Sequence, residues 1–207
     1  MNTEQGFCLK SVLLTLAIVA VGSIAAVSGV RAAAPAETNT VTSAECLPQF
    51  QGEMRALHSK DSHNLCELTR GKVVMVVNTA SQCGYTGQFA DLEALYQDYK
   101  EKDFVILGFP SDSFKQEHAD EEKTASVCFV NFGVTFPMMA TTPVTGSDAN
   151  PVFQAVTAAS GTAPKWNFHK YIVAADGSEV QSFPSKVVPT DSAITDVIDS
   201  YLAAASE

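Results

Sequence analysis

The sequence has few positive charges and no run of them. Thirteen Lys and Arg residues stand against 23 Asp and Glu residues, which gives a formal net charge of −10, and no two basic residues are adjacent. A nucleic-acid-binding surface needs clustered basic side chains to displace counterions from phosphates. We therefore exclude nucleic acid, and also an anionic membrane surface, as partners of this chain.

Cysteine is also scarce, with five among 207 residues, too few for a small disulfide-built scaffold of this length. The apolar fraction of 46% excludes a disordered acidic tail, and the length suits one globular domain with a terminal appendage. We expect no cofactor. The histidines show no metal-ligand spacing with one another or with the cysteines, so no metal site is predicted; they are His58, His63, His118 and His169.

The N-terminus has the pattern of a secretory signal peptide over residues 1–36. A polar start with one basic residue precedes an apolar stretch at 12–21, and small residues with an A-x-A arrangement follow at 32–36. The alternative is an uncleaved anchor, because residues 12–30 are long enough to cross a bilayer as a helix. We expect cleavage and export, with a periplasmic location, and the loss of Cys8 with the signal.

Hydrophobic patterning predicts the folded part of the chain, a domain over residues 71–207 preceded by an extension at 37–70. Continuous apolar runs at 72–78 and 104–109 predict two buried strands, and β-prone runs at 170–174 and 179–183 around an Asp-Gly turn predict a hairpin. Helical patterns and helix-start signals occur at 88–99, 119–132, 150–159 and 191–204. This order predicts an α/β, thioredoxin-like fold with a central mixed β-sheet flanked by helices.

Cys83 lies between the first predicted strand of this domain and the helix that follows, within N-T-A-S-Q-C-G-Y-T at 78–86. In this fold the loop leads into a helix N-terminus, where free backbone N–H groups stabilise a thiolate. Thr86 stands where a thioredoxin has its second cysteine, which argues against a dithiol oxidoreductase. The alternative is a buried, unreactive core thiol.

Further motifs follow in order: L-G-F-P at 107–110, G-V-T-F-P at 133–137 and K-W-N-F at 165–168. Together with G-K-V-V at 71–74 and the segment around Cys83, they resemble the glutathione peroxidase family. Peroxiredoxins also use a lone cysteine but have a threonine three residues before it, where this chain has Ala80. Two departures from the family pattern stand out: F-P-S-D-S-F at 109–114 replaces F-P-C-N-Q-F, and Gln116 follows one residue sooner than usual.

The resemblance implies a thiol peroxidase in which Cys83 is surrounded by Gln116, Trp166 and Asn167. Such an enzyme reduces hydrogen peroxide or organic hydroperoxides through a sulfenic acid on Cys83, in defence against oxidative stress. The three neutral side chains are donors that can hydrogen-bond a sulfur anion. Selenium is not implied, because cysteine stands where many animal relatives carry selenocysteine. The alternative function is a peroxide-sensing relay protein that passes oxidation to a partner.

The resemblance also raises the question of a second, resolving thiol. Cys128 lies in the predicted helix at 119–132, one residue before the usual resolving position, which falls on Phe129. It is either the resolving thiol or a small core residue. The expected reductant is glutathione or a thioredoxin-like protein, although no cationic cluster near the motifs would bind the carboxylates of glutathione.

Cys46 and Cys66 precede the motifs that carry the resemblance. Disulfides persist outside the cytosol, so in an exported chain we hypothesise a structural disulfide between these two cysteines. It would close a loop of about 20 residues and contribute roughly 3 kcal/mol to stability. Residues 153–165 lack the long insertion of tetrameric animal relatives, so we expect a monomer.

Overall fold

The computed structural model describes residues 45–206. The predicted signal peptide or anchor, its cleavage sites, Cys8 and residues 37–44 of the predicted extension lie outside this range. Within the described range, no helix combines the length and the apolar character that crossing a membrane requires.

The described chain begins with small elements that cover one face of the central sheet. After a 3₁₀ turn at Pro48–Phe50, strands β1 (Glu53–Arg55) and β2 (Ser62–Asn64) pair antiparallel, and helix α1 (Leu65–Thr69) follows. Phe50 and Leu65 are fully buried in an apolar cluster with residues of the sheet. These two side chains of the predicted extension at 37–70 therefore pack against the sheet, and the domain boundary at residue 71 stays a prediction.

The central sheet has four strands in the order β4-β3-β5-β6. These are β3 (Val73–Thr79), β4 (Phe104–Pro110), β5 (Lys170–Val173) and β6 (Val180–Phe183). β3 pairs parallel to β4 and antiparallel to β5, and β5 pairs antiparallel to β6. The predicted mixed sheet is confirmed. β3 and β4 are buried along their whole length, which explains their continuous apolar sequences.

Helices cover both faces of the sheet. α2 (Gln88–Tyr99) and α5 (Ser192–Ala205) pack on the face that includes Met75, and α4 (Pro151–Ser160) packs on the face that includes Val76. Successive side chains of a strand point to opposite faces, so the alternation along β3 divides the core into two clusters. The thioredoxin-like architecture and these three predicted helices are confirmed.

The helix predicted at 119–132 has a different internal structure. Asp120 accepts a hydrogen bond from the backbone N–H of Glu122 and caps α3 (Glu121–Ala125). The segment Ser126–Asn131 then continues as a π-helix. π-helical turns are rare and occur frequently at functional sites, and periodicity in the sequence does not distinguish them from α-helical turns.

Candidate active site

The loop that carries Cys83 is shaped by the side chain of Thr86. The backbone N–H of Cys83 donates to Thr86 Oγ1 at 3.0 Å, and the same hydroxyl lies 3.0 Å from the carbonyl oxygen of Ala80 and 2.7 Å from that of Cys83. One hydroxyl thus closes the turn between β3 and α2. This role of Thr86 was not predicted from the sequence, where the residue indicated only that a second cysteine is missing.

The sulfur of Cys83 receives a backbone hydrogen bond. The N–H of Tyr85 donates to Cys83 Sγ at 3.4 Å, and Cys83 is 9% exposed. Among residues 45–206, the N–H of Tyr85 is the hydrogen-bond partner recorded for Cys83 Sγ. No carboxylate in that range forms a hydrogen bond with this sulfur. Backbone donors of this kind stabilise a negative charge on sulfur.

A tight turn brings Gln116 beside this loop. The N–H of Lys115 donates to the carbonyl of Asp112 at 2.9 Å, and Lys115 adopts a left-handed backbone with φ +60°. The carbonyl of Gln116 then accepts from the N–H of Gln82 at 2.9 Å, directly before Cys83. Non-glycine residues adopt this conformation rarely and at a cost. The loop that ends at Gln116 is one residue shorter than in the family pattern. It still reaches the Cys83 loop, because the backbone at Lys115 adopts a strained left-handed turn.

Asn167 contacts Gln116 through its side chain. Its Nδ2 donates to Gln116 Oε1 at 3.0 Å, while its Oδ1 is buried without a hydrogen-bond partner in the described part of the chain. Trp166 is 41% exposed, and its ring lies against Phe114 with centroids 5.4 Å apart. The structure thus brings Gln116 and Asn167 together next to the Cys83 loop, and it places the Trp166 ring at the surface.

Asn78, at the end of β3, holds the segment that contains Trp166 and Asn167. Its Nδ2 donates to the carbonyl of Trp166 at 3.2 Å, and its Oδ1 accepts from the N–H of His169 at 3.1 Å. Phe168 adopts φ +61°, and its buried ring meets Phe89 of α2 edge-on. This role of Asn78 was not predicted from the sequence. The available signal was an asparagine at the end of a continuous apolar strand. Its amide is fully buried there, and buried polar groups need hydrogen-bond partners.

Two buried basic groups lie directly after this segment. Lys170 donates to Gln88 Oε1 at 2.5 Å and to the carbonyl oxygens of Val187 and Ser185, and burial lowers its pKa to about 7. Burial, followed by the nearby charge of Lys170, lowers the pKa of His169 to about 4. His169 is therefore uncharged at neutral pH and serves as a ring packed against Tyr171.

Cys128 occupies a different environment, inside the π-helical segment. It is 1% exposed, and burial, with a smaller contribution from the charge of Glu117, raises its pKa to about 12. A π-helical turn holds more residues than an α-helical turn, so counting along a regular helix misplaces a side chain by about one position. Cys128 lies one position before Phe129, the usual resolving position, so a π-helical turn accounts for an offset of this size. Cys128 and Cys83 belong to the same apolar cluster.

The other two cysteines lie at the start of the described chain. Cys46 and Cys66 form a disulfide with their Cα atoms 5.2 Å apart, which fastens this start to α1. Between residues 45 and 206, no three or more acidic, histidine or cysteine side chains form a group that could hold a metal ion.

Comparison with known proteins identifies the family. The family model described as glutathione peroxidase matches residues 53–157. This chain belongs to the glutathione peroxidase family. A relative from Saccharomyces cerevisiae (strain ATCC 204508 / S288c), glutathione peroxidase-like peroxiredoxin 2, is 43% identical over 127 residues, which cover 58% of this chain and 78% of the relative. The chain is accordingly a peroxidase, an oxidoreductase of the glutathione peroxidase type.

Solved structures agree on the fold of this glutathione peroxidase family member. One described as "Crystal structure of Trgpx in apo form" has a TM-score of 0.60 at 31% identity and covers 77% of this chain and 97% of its own. A thiol:disulfide interchange protein of the thioredoxin family from Chlorobium tepidum TLS has a TM-score of 0.56 at 17% identity, covers 77% and 98%, and supports the fold alone. The family match begins at β1 and so includes elements that the sequence analysis assigned to the extension.

Proposed function

We propose that the thiolate of Cys83 attacks the O–O bond of hydrogen peroxide or an organic hydroperoxide. The sulfur takes one oxygen as a hydroxyl group and becomes a sulfenic acid. The other oxygen leaves with a proton, as water or an alcohol. The observation that carries this proposal is the hydrogen bond between Asn167 and Gln116, because the carbonyl of Gln116 also binds the N–H of Gln82 and so places two neutral amides beside the loop that holds Cys83.

The hydrogen bond between the two amides assigns them separate tasks. Asn167 already donates to Gln116 Oε1, so the NH₂ group of Gln116 is free to donate to the thiolate or to the departing oxygen. The buried Oδ1 of Asn167 can accept the peroxide hydroxyl. The indole N–H of Trp166 is the third donor of the proposal. Uncharged groups favour the anion, whereas a carboxylate would repel it.

We propose that Cys128 resolves the sulfenic acid after a local opening of the π-helical segment. The Cys128 thiolate would attack Cys83 Sγ, form a disulfide and release water. In the closed structure burial prevents this, because it keeps the thiol protonated. The segment is suited to opening: Phe129 and Val130, which follow Cys128, are exposed and give up little buried area when they move.

A thiol reductant then returns the enzyme to its starting state. We favour a thioredoxin-like protein over glutathione, because a protein dithiol supplies the thiols for both exchange steps within one complex, whereas glutathione needs two molecules. The yeast relative carries the name peroxiredoxin, in agreement with thiol chemistry. We further propose that the protein is exported to the periplasm, acts as a monomer and serves defence against oxidative stress. The alternative remains a peroxide-sensing relay that passes the oxidation of Cys83 to a partner protein.

Stopped-flow kinetics separates these functions with a built-in reporter. Trp166 is the one tryptophan of the chain, directly precedes Asn167 and packs its ring against Phe114, so we expect its fluorescence to follow the oxidation of Cys83. Rapid oxidation followed by repeated turnover with thioredoxin or glutathione supports the enzyme. Rapid oxidation without turnover by either reductant favours the relay, and the absence of any peroxide-dependent change contradicts both.

Peptide mapping of the oxidised protein tests the resolving step. One equivalent of peroxide should yield a Cys83–Cys128 disulfide, and its formation should be faster in low concentrations of urea, which favour local opening. A stable sulfenic acid on Cys83, trapped by dimedone with no such disulfide, would show that an external thiol resolves the intermediate.

A further inference from the structure

A guanidinium group lies against the Cys46–Cys66 disulfide. Arg70 Nη2 is 3.2 Å from Cys66 Sγ and 3.7 Å from Cys46 Sγ. The ion pairs recorded among residues 45–206 are Arg55–Glu121 and Lys115–Asp112, so in that range Arg70 has no carboxylate partner. The charge of Arg70 is therefore directed at the two sulfurs.

This contact gains strength when the disulfide is reduced. A neutral disulfide sulfur is a weak hydrogen-bond acceptor, whereas a thiolate beside a guanidinium makes a charge-assisted hydrogen bond. Stabilisation of the leaving thiolate speeds thiol–disulfide exchange and makes a disulfide easier to reduce. A cation at this position thus favours a reactive disulfide over an inert one.

The two sulfurs differ in accessibility. Cys66 is 7% exposed, on the buried side of α1, while Cys46 is half-buried and lines an open groove of about 680 Å³. The groove continues along Leu47 and Pro48 to Tyr201 of α5. An external thiol can therefore reach Cys46 through the groove, and the sulfur it would displace, that of Cys66, is the one nearer to Arg70.

We propose that Cys46, Cys66 and Arg70 form a second thiol–disulfide exchange site, whose substrate is an uncharged or cationic dithiol. One thiolate of the dithiol attacks Cys46 Sγ, and the bond to Cys66 breaks, so Cys66 leaves as a thiolate beside Arg70. The second thiolate of the dithiol attacks the mixed disulfide and releases Cys46. Two electrons pass to the cysteine pair: Cys46 takes up a proton from solvent and becomes a free thiol, Cys66 stays a thiolate beside Arg70, and the dithiol becomes a disulfide.

The charge of the groove selects the class of thiol. Glu45, Asp176 and Glu179 line it, and hydrogen bonds from Ser178 lower the pKa of Asp176 and keep its carboxylate ionised. Glutathione carries a net negative charge that rises further when its thiol ionises. Repulsion by the three carboxylates therefore disfavours glutathione relative to an uncharged or cationic thiol.

The test uses the full chain with Cys83→Ser, so that oxidation at Cys83 does not interfere and failure of the peroxidase proposal would leave this test unaffected. The folded protein is equilibrated with defined ratios of reduced to oxidised dithiothreitol. Differential alkylation and peptide mapping then give the reduced fraction of Cys46 and Cys66. Arg70→Gln should lower the reduction equilibrium constant about tenfold, a midpoint about 30 mV more negative, and should slow reduction about tenfold. Arg70→Lys should give a midpoint and a reduction rate between those of Arg70→Gln and of the protein that retains Arg70.

Arg55→Gln is the matched control, because Arg55 pairs with Glu121 instead of the disulfide, and it should leave both quantities unchanged. At equal thiolate concentration, cysteamine should react faster than mercaptoethanol, and mercaptoethanol faster than glutathione, with differences that shrink as salt rises. Circular dichroism confirms that each variant is folded. An Arg70→Gln protein with the wild-type midpoint and rate, or a disulfide that resists dithiothreitol until the protein is denatured, would overturn the proposal.

Discussion

The two free thiols of the described chain border the same apolar cluster but differ in their polar neighbours. Cys83 lies in a loop, receives the N–H of Tyr85 and adjoins the Gln116–Asn167 pair. Cys128 lies inside a π-helical segment, and burial together with Glu117 raises its pKa to about 12. Both side chains are buried, but Cys128 is more deeply so, at 1% exposed against 9% for Cys83. The difference in reactivity that we expect follows from this deeper burial, together with Glu117, at Cys128 and from the backbone and amide groups beside Cys83.

The largest effect should come from replacing each thiol by serine. Cys83→Ser should lower the rate of peroxide consumption by at least about 1,000-fold, because a serine hydroxyl does not ionise near neutral pH and is a far weaker nucleophile. Cys128→Ser should leave the first oxidation of Cys83 within about twofold of wild type and stop turnover with a thioredoxin-like reductant. Stopped-flow fluorescence measures the first step, and a coupled assay measures turnover.

The next effect should separate the donor role of Gln116 from its role as a partner of Asn167. Gln116→Leu removes both, and Gln116→Glu keeps an oxygen that accepts from Asn167 Nδ2 while it replaces the NH₂ donor by a carboxylate, which repels the thiolate. We expect both variants to lose about 100-fold in the rate of Cys83 oxidation, as for the loss of one transition-state donor. A Gln116→Glu variant with nearly wild-type rates would show that Gln116 only positions Asn167.

The sequence was sufficient to predict the sheet and most helices, because period-2 and period-3.6 patterns record burial directly. Met75 and Val76 lie on opposite faces of one continuous apolar run. The predictions were less complete where the structure depends on a contact between single residues that lie far apart in the sequence. Asn78 reaches Trp166 and His169 across roughly 90 residues, and no periodicity encodes such a contact. The π-helical segment was missed because it is only about one turn long. The hairpin of β1 and β2 was missed because each of its strands has only three residues.

A smaller effect should come from the turn that holds Cys83. Thr86→Val removes the hydroxyl that accepts from the N–H of Cys83, and it leaves that buried donor without its partner. We expect a loss of about 1–3 kcal/mol in the free energy of unfolding and about tenfold in the rate of Cys83 oxidation. Thr86→Ser keeps the hydroxyl and is the control. Equal losses in the two variants would assign the effect to the methyl group instead.

The smallest effect should come from Glu117, next to Gln116 in the chain but linked to the other thiol. Its carboxylate accepts from Thr124 Oγ1 of α3 and from the N–H of His118, and it is the second cause of the raised pKa of Cys128. Glu117→Gln keeps an accepting oxygen and removes the charge. The pKa of Cys128 should fall while burial still holds it above its ordinary value, so alkylation by iodoacetamide at pH 9–10 should be a few-fold faster.

The pH dependence of stability gives a second readout with a definite sign. The folded state of the wild type retains the Cys128 proton between its ordinary pKa of 9 and the raised value near 12, whereas the unfolded chain loses it. This contribution to the free energy of unfolding is therefore fully present below pH 9 and is lost as pH rises toward 12. Glu117→Gln should reduce that loss, and Glu122→Gln, in the first turn of α3, should not. Urea unfolding at pH 8 and near pH 12 measures both, because at pH 10 the folded protein still retains the Cys128 proton in either variant. An unchanged loss in Glu117→Gln would mean that burial alone keeps Cys128 protonated.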